Sequence, residues 1–284
     1  MNWIRTLKQL HKALRKREIQ AFVNRREDYA HMPCGKIEQF CVGDSRARYN
    51  IYPPAFSIYT WNAGESAADL YISYHMAKFL LSQCPHVKRV ILVYAFYDRG
   101  YTLSKSNNRK LSTVFNYFFP WIPWRPIPRI LHLVLITKLW LNRKMKPNRS
   151  PDPYGIDHPK EYTQNTGYLI NANVKQAIKY GSEPLHFLKE LKTLCKKYNT
   201  ELCICIPPER RDYRALLKEK MDTCQLLRDD LSSLNLPVID ARNWISDTFF
   251  GDGYHLNEEG AVEFSRRLNT FLEQKKYENC TFGS

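Results

Sequence analysis

No apolar run in the sequence approaches the ~20 residues of a membrane-spanning helix. There is no low-complexity tract and no internal repeat, which sets aside disordered and solenoid architectures. The opening MNWIRTLKQLHKALRKREIQ lacks the uninterrupted apolar core and small-residue cleavage site of a secretory signal, so a cytoplasmic protein is expected. Eight cysteines are present, but no pair has zinc-finger spacing, and Cys203 and Cys205 stand too close for a common metal clip. No metal and no other cofactor is expected. Cys41, Cys203 and Cys205 sit inside strand-like runs, where a free thiol acts as a small hydrophobe.

Acidic residues are also scarce. Asp and Glu total 28 against 43 Lys and Arg, a formal net charge of +15. Such a surface attracts polyanions: nucleic acid, anionic glycan or an acidic membrane face. No helix-turn-helix, zinc finger or RNA-binding signature appears, so no specific nucleic-acid partner is expected.

What remains is a chain of 284 residues, 44% hydrophobic, long enough for one large α/β domain or two small ones. Residues 1 to about 28 read as a basic amphipathic helix, with Trp3, Leu7, Leu10 and Leu14 at helical spacing. Residues 1–35 form a basic extension, and 36–284 a single domain with an insertion at about 100–180. Strand-like runs KIEQFCVG, AFSIYTWNAG, VKRVILVYAF, TELCICIPP and LPVIDAR alternate with helical ones. The helices are SAADLYISYHMAKFLLSQC, EPLHFLKELKTLCKKYN, YRALLKEKMDTCQLLRDDLSSL and NEEGAVEFSRRLNTFLEQ, the last capped by Asn257. That alternation predicts a mostly parallel sheet covered on both faces. Ligands on such sheets lie beyond the carboxyl ends of the strands. Ser45, Gly64, Tyr97, Asp98 and the segment DTFFGDGYHLN all fall there.

A serine hydroxyl needs a base within hydrogen-bond reach, a group orienting that base, and donors for an oxyanion. Ser45 follows the first strand at the mouth of a helix, so its N–H is one natural donor. Asp252 and His255, three positions apart on one loop after the fifth strand, supply a base and an orienting carboxylate. Gly64 has no side chain and offers a close-approaching N–H. Alone, Gly-Asp-Ser reads as a turn with a helix cap, and Asp-x-x-His as a solvated loop. Their order along the chain favours the chemical reading.

VGDSRA, NAG around Gly64 and DGYHLNEEGAVEFSRRL resemble the SGNH/GDSL hydrolase family over about residues 36–100 and 180–275. The resemblance implies a three-layer α/β/α sandwich on a five-stranded parallel, flavodoxin-like sheet, here with a helical insertion after the third strand. It implies a nucleophile at Ser45, an oxyanion donor at Gly64 and an Asp–His pair at Asp252 and His255. One block departs: the family's Gly-x-Asn-Asp is Ala95-Phe-Tyr-Asp98 here, with Tyr97 at the position of the third donor. The usual Leu after the nucleophile is Arg46, which with Arg48 would hold an anionic substrate or simply form a basic helical turn. Asn62, Gly64, Tyr97, Asp98 and Arg46 are the candidate oxyanion and substrate contacts. The implied activity is hydrolysis or transfer of an acyl group, on an acylated glycan or a similar ester, as in the bacterial surface-glycan branch. The alternative is a weakly active or inactive protein of this fold that binds an anionic membrane or polysaccharide.

The insertion carries an apolar run, Ile130 to Leu141, flanked by Trp121, Trp124, Arg125, Arg129, Arg143, Lys144 and Lys146. Aromatic and basic flanks suit a membrane interface, adding peripheral placement at the inner membrane face to the expectations. A lid or an internal helix pair is the plainer reading. His132 is expected as a packing residue, and Asp157–His158 ranks below Asp252–His255.

Overall fold

The structure, a computed structural model, describes residues 16–106, 108–125, 129–148, 166–179 and 183–274. Trp3, Leu7, Leu10, Leu14 and the Asp157–His158 pair lie outside the described residues. In chain order the elements begin with α1 (Lys16–Ala30), β1 (Gln39–Val42), α2 (Ser45–Asn50), β2 (Thr60–Asn62), α3 (Leu70–Gln83) and β3 (Arg89–Val93). Next come α4 (Lys110–Phe118), α5 (Arg129–Leu141), α6 (Thr166–Lys179) and α7 (His186–Lys197). The chain continues through β4 (Glu201–Ile206), α8 (Arg211–Lys218), α9 (Thr223–Leu231), β5 (Val238–Asp240) and α10 (Glu258–Glu273). It divides into two compact units, Met1–Pro33 with Leu103–Gly155, and Cys34–Thr102 with Ile156–Ser284.

The second unit holds a five-stranded sheet of order β2-β1-β3-β4-β5, with every pairing parallel. Parallel strands need crossover helices, and the helices bury both faces, so the strands read as nearly continuous apolar runs. Cys41, Ile91, Val93, Cys203, Cys205 and Ile239 face one layer, made by Ala47 and Ile51 of α2 and by Ala261, Phe264 and Leu268 of α10. On the other face α3 and α7 pack together, with Met76, Ala77, Leu80, Leu188 and Leu191 buried. These layers make a three-layer α/β/α sandwich. Burial pushes the thiols of Cys41 and Cys205 far up and that of Cys203 to about 12, so all three are inert packing groups.

Two differences from the sequence reading have local causes. The second strand is only Thr60–Asn62, and the 3-10 turn Pro53–Ala55, begun by Pro53 and Pro54, takes the first residue of the expected run. The expected helix YRALLKEKMDTCQLLRDDLSSL is two, α8 and α9. Asp222 caps α9, its side chain accepting from the Gln225 N–H at 2.9 Å. The spacing Asp-x-x-Gln is a helix-start signal embedded in an otherwise helical run.

The first unit is held by aromatic packing. Phe22 of α1 meets Phe115 of α4 edge-on at 5.3 Å and stacks on Phe118 at 5.7 Å. Tyr29 lies against Phe119 and Trp121. Polar ties join α1 to the chain beyond α5: Gln20 Nε2 donates to the Lys146 carbonyl, and Asn24 Nδ2 to Asn148 Oδ1 at 2.7 Å. Among the described residues, no helix is long and apolar enough to cross a membrane.

Asn257 caps α10 by accepting from the Gly260 N–H at 2.8 Å. Asn257→Ala is expected to cost about 1 kcal/mol, read as a lower denaturation midpoint at unchanged slope.

Candidate active site

The strand ends bring Ser45 and the loop after β5 together because the chain turns sharply off β1. Gly43 has φ +146°, and a Cβ there would stand 2.7 Å from the Val93 carbonyl oxygen. Only glycine allows the backbone so close to the neighbouring strand. Asp44 then caps α2, its Oδ1 accepting from the Arg46 N–H at 2.8 Å, and Ser45 is the first helical residue. Turn with cap and raised hydroxyl are therefore the same structure: Asp44 is the cap, which leaves the Ser45 side chain for other contacts.

The loop after β5 is closed by a bridge between Phe250 and Leu256 and by the Gly251 N–H donating to the His255 carbonyl. Asp252 organises it from inside. Its Oδ1 accepts from the N–H groups of Tyr254 at 2.9 Å and His255 at 2.8 Å. Its Oδ2 lies 2.7 Å from His255 Nδ1, and His255 Nε2 lies 2.8 Å from Ser45 Oγ. Burial opposes ionisation of Asp252, but the hydrogen bond from His255 and the two N–H donors outweigh it, so its pKa is held below the ordinary value. An ionised carboxylate only accepts, so Nδ1 carries the imidazole proton and Nε2 presents a lone pair to the serine hydroxyl. Tyr49 and Tyr254 flank the ring edge-on and tilted, at 5.5 and 4.4 Å between centroids.

One residue the sequence reading overlooked fixes this contact. Asn50, fully buried at the end of α2, donates through Nδ2 to the Tyr254 carbonyl at 3.2 Å. Its Oδ1 accepts from the Leu256 N–H at 3.0 Å. It thus ties the helix that begins with Ser45 to both neighbours of His255. Nothing in its spacing marks it, since it reads as an ordinary helix-end asparagine.

The remaining candidates are placed otherwise than expected. Asn62 is not open to a substrate. It is fully buried, and its Nδ2 donates to the carbonyls of Ala47, Arg48 and Ile51, satisfying the C-terminal end of α2. Its Oδ1 accepts from the Gly64 N–H at 2.9 Å, so that donor is engaged inside the protein. Gly64 is glycine for packing: a Cβ would lie 2.4 Å from Arg48 N and 2.6 Å from Ala47 Cβ. Tyr97 is buried, and its hydroxyl donates to Asp44 Oδ2 rather than facing Ser45. Asp98 Oδ2 accepts from the Ala95 N–H at 2.8 Å and takes no part in the serine contact. The Ser45 N–H has no hydrogen-bond partner among the described residues.

Arg46 is not a surface anion clamp. It is 0% exposed, with its guanidinium 4.3 Å over the Tyr97 ring and 5.4 Å from the Tyr254 ring. Asp44 and Glu209 lie 3.7 and 3.9 Å away, and none of the three guanidinium nitrogens makes a hydrogen bond. Burial opposes its charge, and Tyr97, Asp44 and Asp98 outweigh that and keep it protonated. Arg48 pairs with Glu65 at 2.6 Å, both buried. Arg46 is accordingly a buried cation beside the carboxylates of Asp44 and Glu209. Glu209 and Tyr254, like Asn50, carried no local signal for these contacts, because their partners are distant in sequence. Among the described residues no group of His, Cys, Asp or Glu is arranged to hold a metal ion.

No family model matches the chain, and neither does any curated protein. A solved structure described as a candidate platelet activating factor from Streptococcus pneumonia is similar at 13% identity and TM-score 0.43, covering 96% of this chain and 100% of that one. At that level the chemistry of the site rests on its own distances.

Burial raises the pKa of Asp98 well above the ordinary carboxylate value, with the Asp44 charge adding to it and Arg46 and the Ala95 N–H opposing it. A raised folded-state pKa favours the protonated folded form. That contribution is complete below the unfolded value of 3.8 and is lost as pH rises through the folded one. Asp98→Asn is neutral at every pH and still accepts from Ala95. Denaturant titrations across that range are expected to show a flatter loss of stability with rising pH in Asp98→Asn than in the wild type.

Proposed function

We propose that the protein is a serine-dependent ester hydrolase or acyl transferase working through an acyl-serine, with an acylated glycan or a similar ester as substrate. The observation that carries this reading is the continuous chain Ser45 Oγ, His255 Nε2, His255 Nδ1, Asp252 Oδ2, with contacts of 2.8 and 2.7 Å. The resemblance of the strand-end motifs to the SGNH/GDSL family supports it.

Ser45 Oγ attacks the ester carbonyl carbon as Nε2 takes its proton. The imidazolium formed is stabilised by the Asp252 carboxylate, and Nε2 then protonates the departing alkoxide. The second half repeats this with water, giving the acid, or with an acceptor hydroxyl, giving a new ester. The developing oxyanion draws on the Ser45 N–H at the start of α2, where the helix end favours negative charge. The Gly64 N–H and the Tyr97 hydroxyl are engaged by Asn62 and Asp44. One oxyanion donor is typically worth about 10²–10³ in rate, so a modest catalyst is expected unless a substrate draws those groups away.

The test is reaction of the full chain with a fluorophosphonate probe. Wild type is expected to be labelled and Ser45→Ala to remain blank. Asp252→Asn, which keeps the shape but favours the wrong imidazole tautomer, should slow labelling by roughly 10³–10⁴. A folded wild type that stays unlabelled, or a Ser45→Ala variant labelled like it, contradicts the proposal. Asn50→Ala separates positioning from chemistry. It leaves two buried backbone groups without partners, at roughly 1–3 kcal/mol each. It should therefore slow labelling while Ser45 remains the only site modified.

A further inference from the structure

We infer that the unit containing α1, α4 and α5 carries a docking surface for an anionic phospholipid bilayer, formed by the outer face of α5 and the turn before it. Leu133 is 65% exposed, Trp140 54% and Leu141 68%, with Trp124 ahead of the helix at 54%. These are four of the seven large hydrophobic side chains found exposed among the described residues, so the exposure is concentrated rather than scattered. Positions 133, 137, 140 and 141 follow i, i+4, i+7, i+8 and make one stripe along the helix. Leu135 and Leu139, on another face, are buried, and α5 packs on α4. The stripe is therefore a second apolar face, beyond what the fold uses.

Along the chain that carries this face the charge is of one sign. Between Asp98 and Asp152 the sequence has no Asp or Glu and eleven Lys or Arg. Arg125 precedes the helix and Arg143, Lys144 and Lys146 follow it, and the Arg143 guanidinium lies 3.9 Å over the Trp140 ring. An indole with a cation on its face, apolar on one side and wet on the other, matches the boundary between acyl chains and headgroups. The helix has 13 residues, about 20 Å of length, against a hydrocarbon core of about 30 Å. It fits in the plane of the interface, not across it.

The occupant follows from the combination. A polyanion such as nucleic acid or polysaccharide would pair with the cations but offers no apolar phase for Leu133 and Leu141. A second copy related by a two-fold axis would bring Arg143, Lys144 and Lys146 against their own kind. An anionic bilayer satisfies both halves of the surface at once.

The experiment is co-sedimentation of the full chain with vesicles of phosphatidylcholine and phosphatidylglycerol in equal parts, and with phosphatidylcholine alone. Binding is expected to the anionic vesicles only and to weaken as salt rises. Arg143→Gln, Lys144→Gln and Lys146→Gln should each lower partitioning up to about fivefold. Leu133→Ser with Leu141→Ser should lower it at least about tenfold, with an unchanged thermal melt, because both side chains are already exposed. Absence of binding overturns the inference. So does binding that survives the leucine substitutions, which would make the attraction electrostatic alone and place it elsewhere on the chain. Self-association that the leucine substitutions abolish, without vesicle binding, would assign the face to a second copy. Probe labelling of Ser45 is read in parallel, so failure of the docking surface and failure of the esterase reading are told apart.

Discussion

The contact between His255 Nε2 and Ser45 Oγ spans 210 positions of chain, and the rest of the site is arranged to keep it. The parallel sheet puts the ends of β1 and β5 on the same edge, with β3 and β4 between them. That separation has to be bridged, and two residues bridge it. Asp252 folds its loop so that the ring projects, and Asn50 fastens that loop to the helix that begins with Ser45. The helix is in turn held by Asn62, which satisfies its last carbonyls from the end of β2. Serine, imidazole and carboxylate are thus positioned by buried amides whose hydrogen-bonding groups are well used, the condition under which polar groups inside a protein become rigid rather than costly.

The same economy explains why the expected oxyanion donors are not free. An asparagine that caps a helix from below has one oxygen left, and here that oxygen takes the Gly64 N–H. The tyrosine hydroxyl at position 97 reaches Asp44. Asp44 needs it, because a buried carboxylate with only one N–H donor would be poorly compensated. Arg46 completes the arrangement as a buried cation shared among carboxylates. The proposed chemistry would therefore run on the strong half of a familiar design, a well-held base and nucleophile, with the electrostatic half largely committed to stability.

Much of this was legible along the chain. Strand–helix alternation gave the sheet, the helical cap at Asn257 ended the last loop, and the Gly-Asp-Ser and Asp-x-x-His motifs marked the residues that meet. These are local signals: period, cap and turn chemistry. What was not legible depends on partners distant in sequence. Nothing adjacent to Arg46 says that Tyr97 and Tyr254 will enclose it, and nothing near Gly64 says that α2 will pass within contact of it. The break at Asp222 was local and visible in its Asp-x-x-Gln spacing, but the apolar periodicity on both sides masked it.

The central claim is that Ser45 Oγ is the atom that bonds to substrate carbon. Peptide mapping by mass spectrometry, after brief exposure of the full chain to an activated acetate ester, tests it directly. The account requires an acetyl group on the peptide containing Ser45, formed quickly in the wild type and not in His255→Ala. Acetylation confined to lysines, or equal acetylation of Ser45 with and without the imidazole, would contradict it.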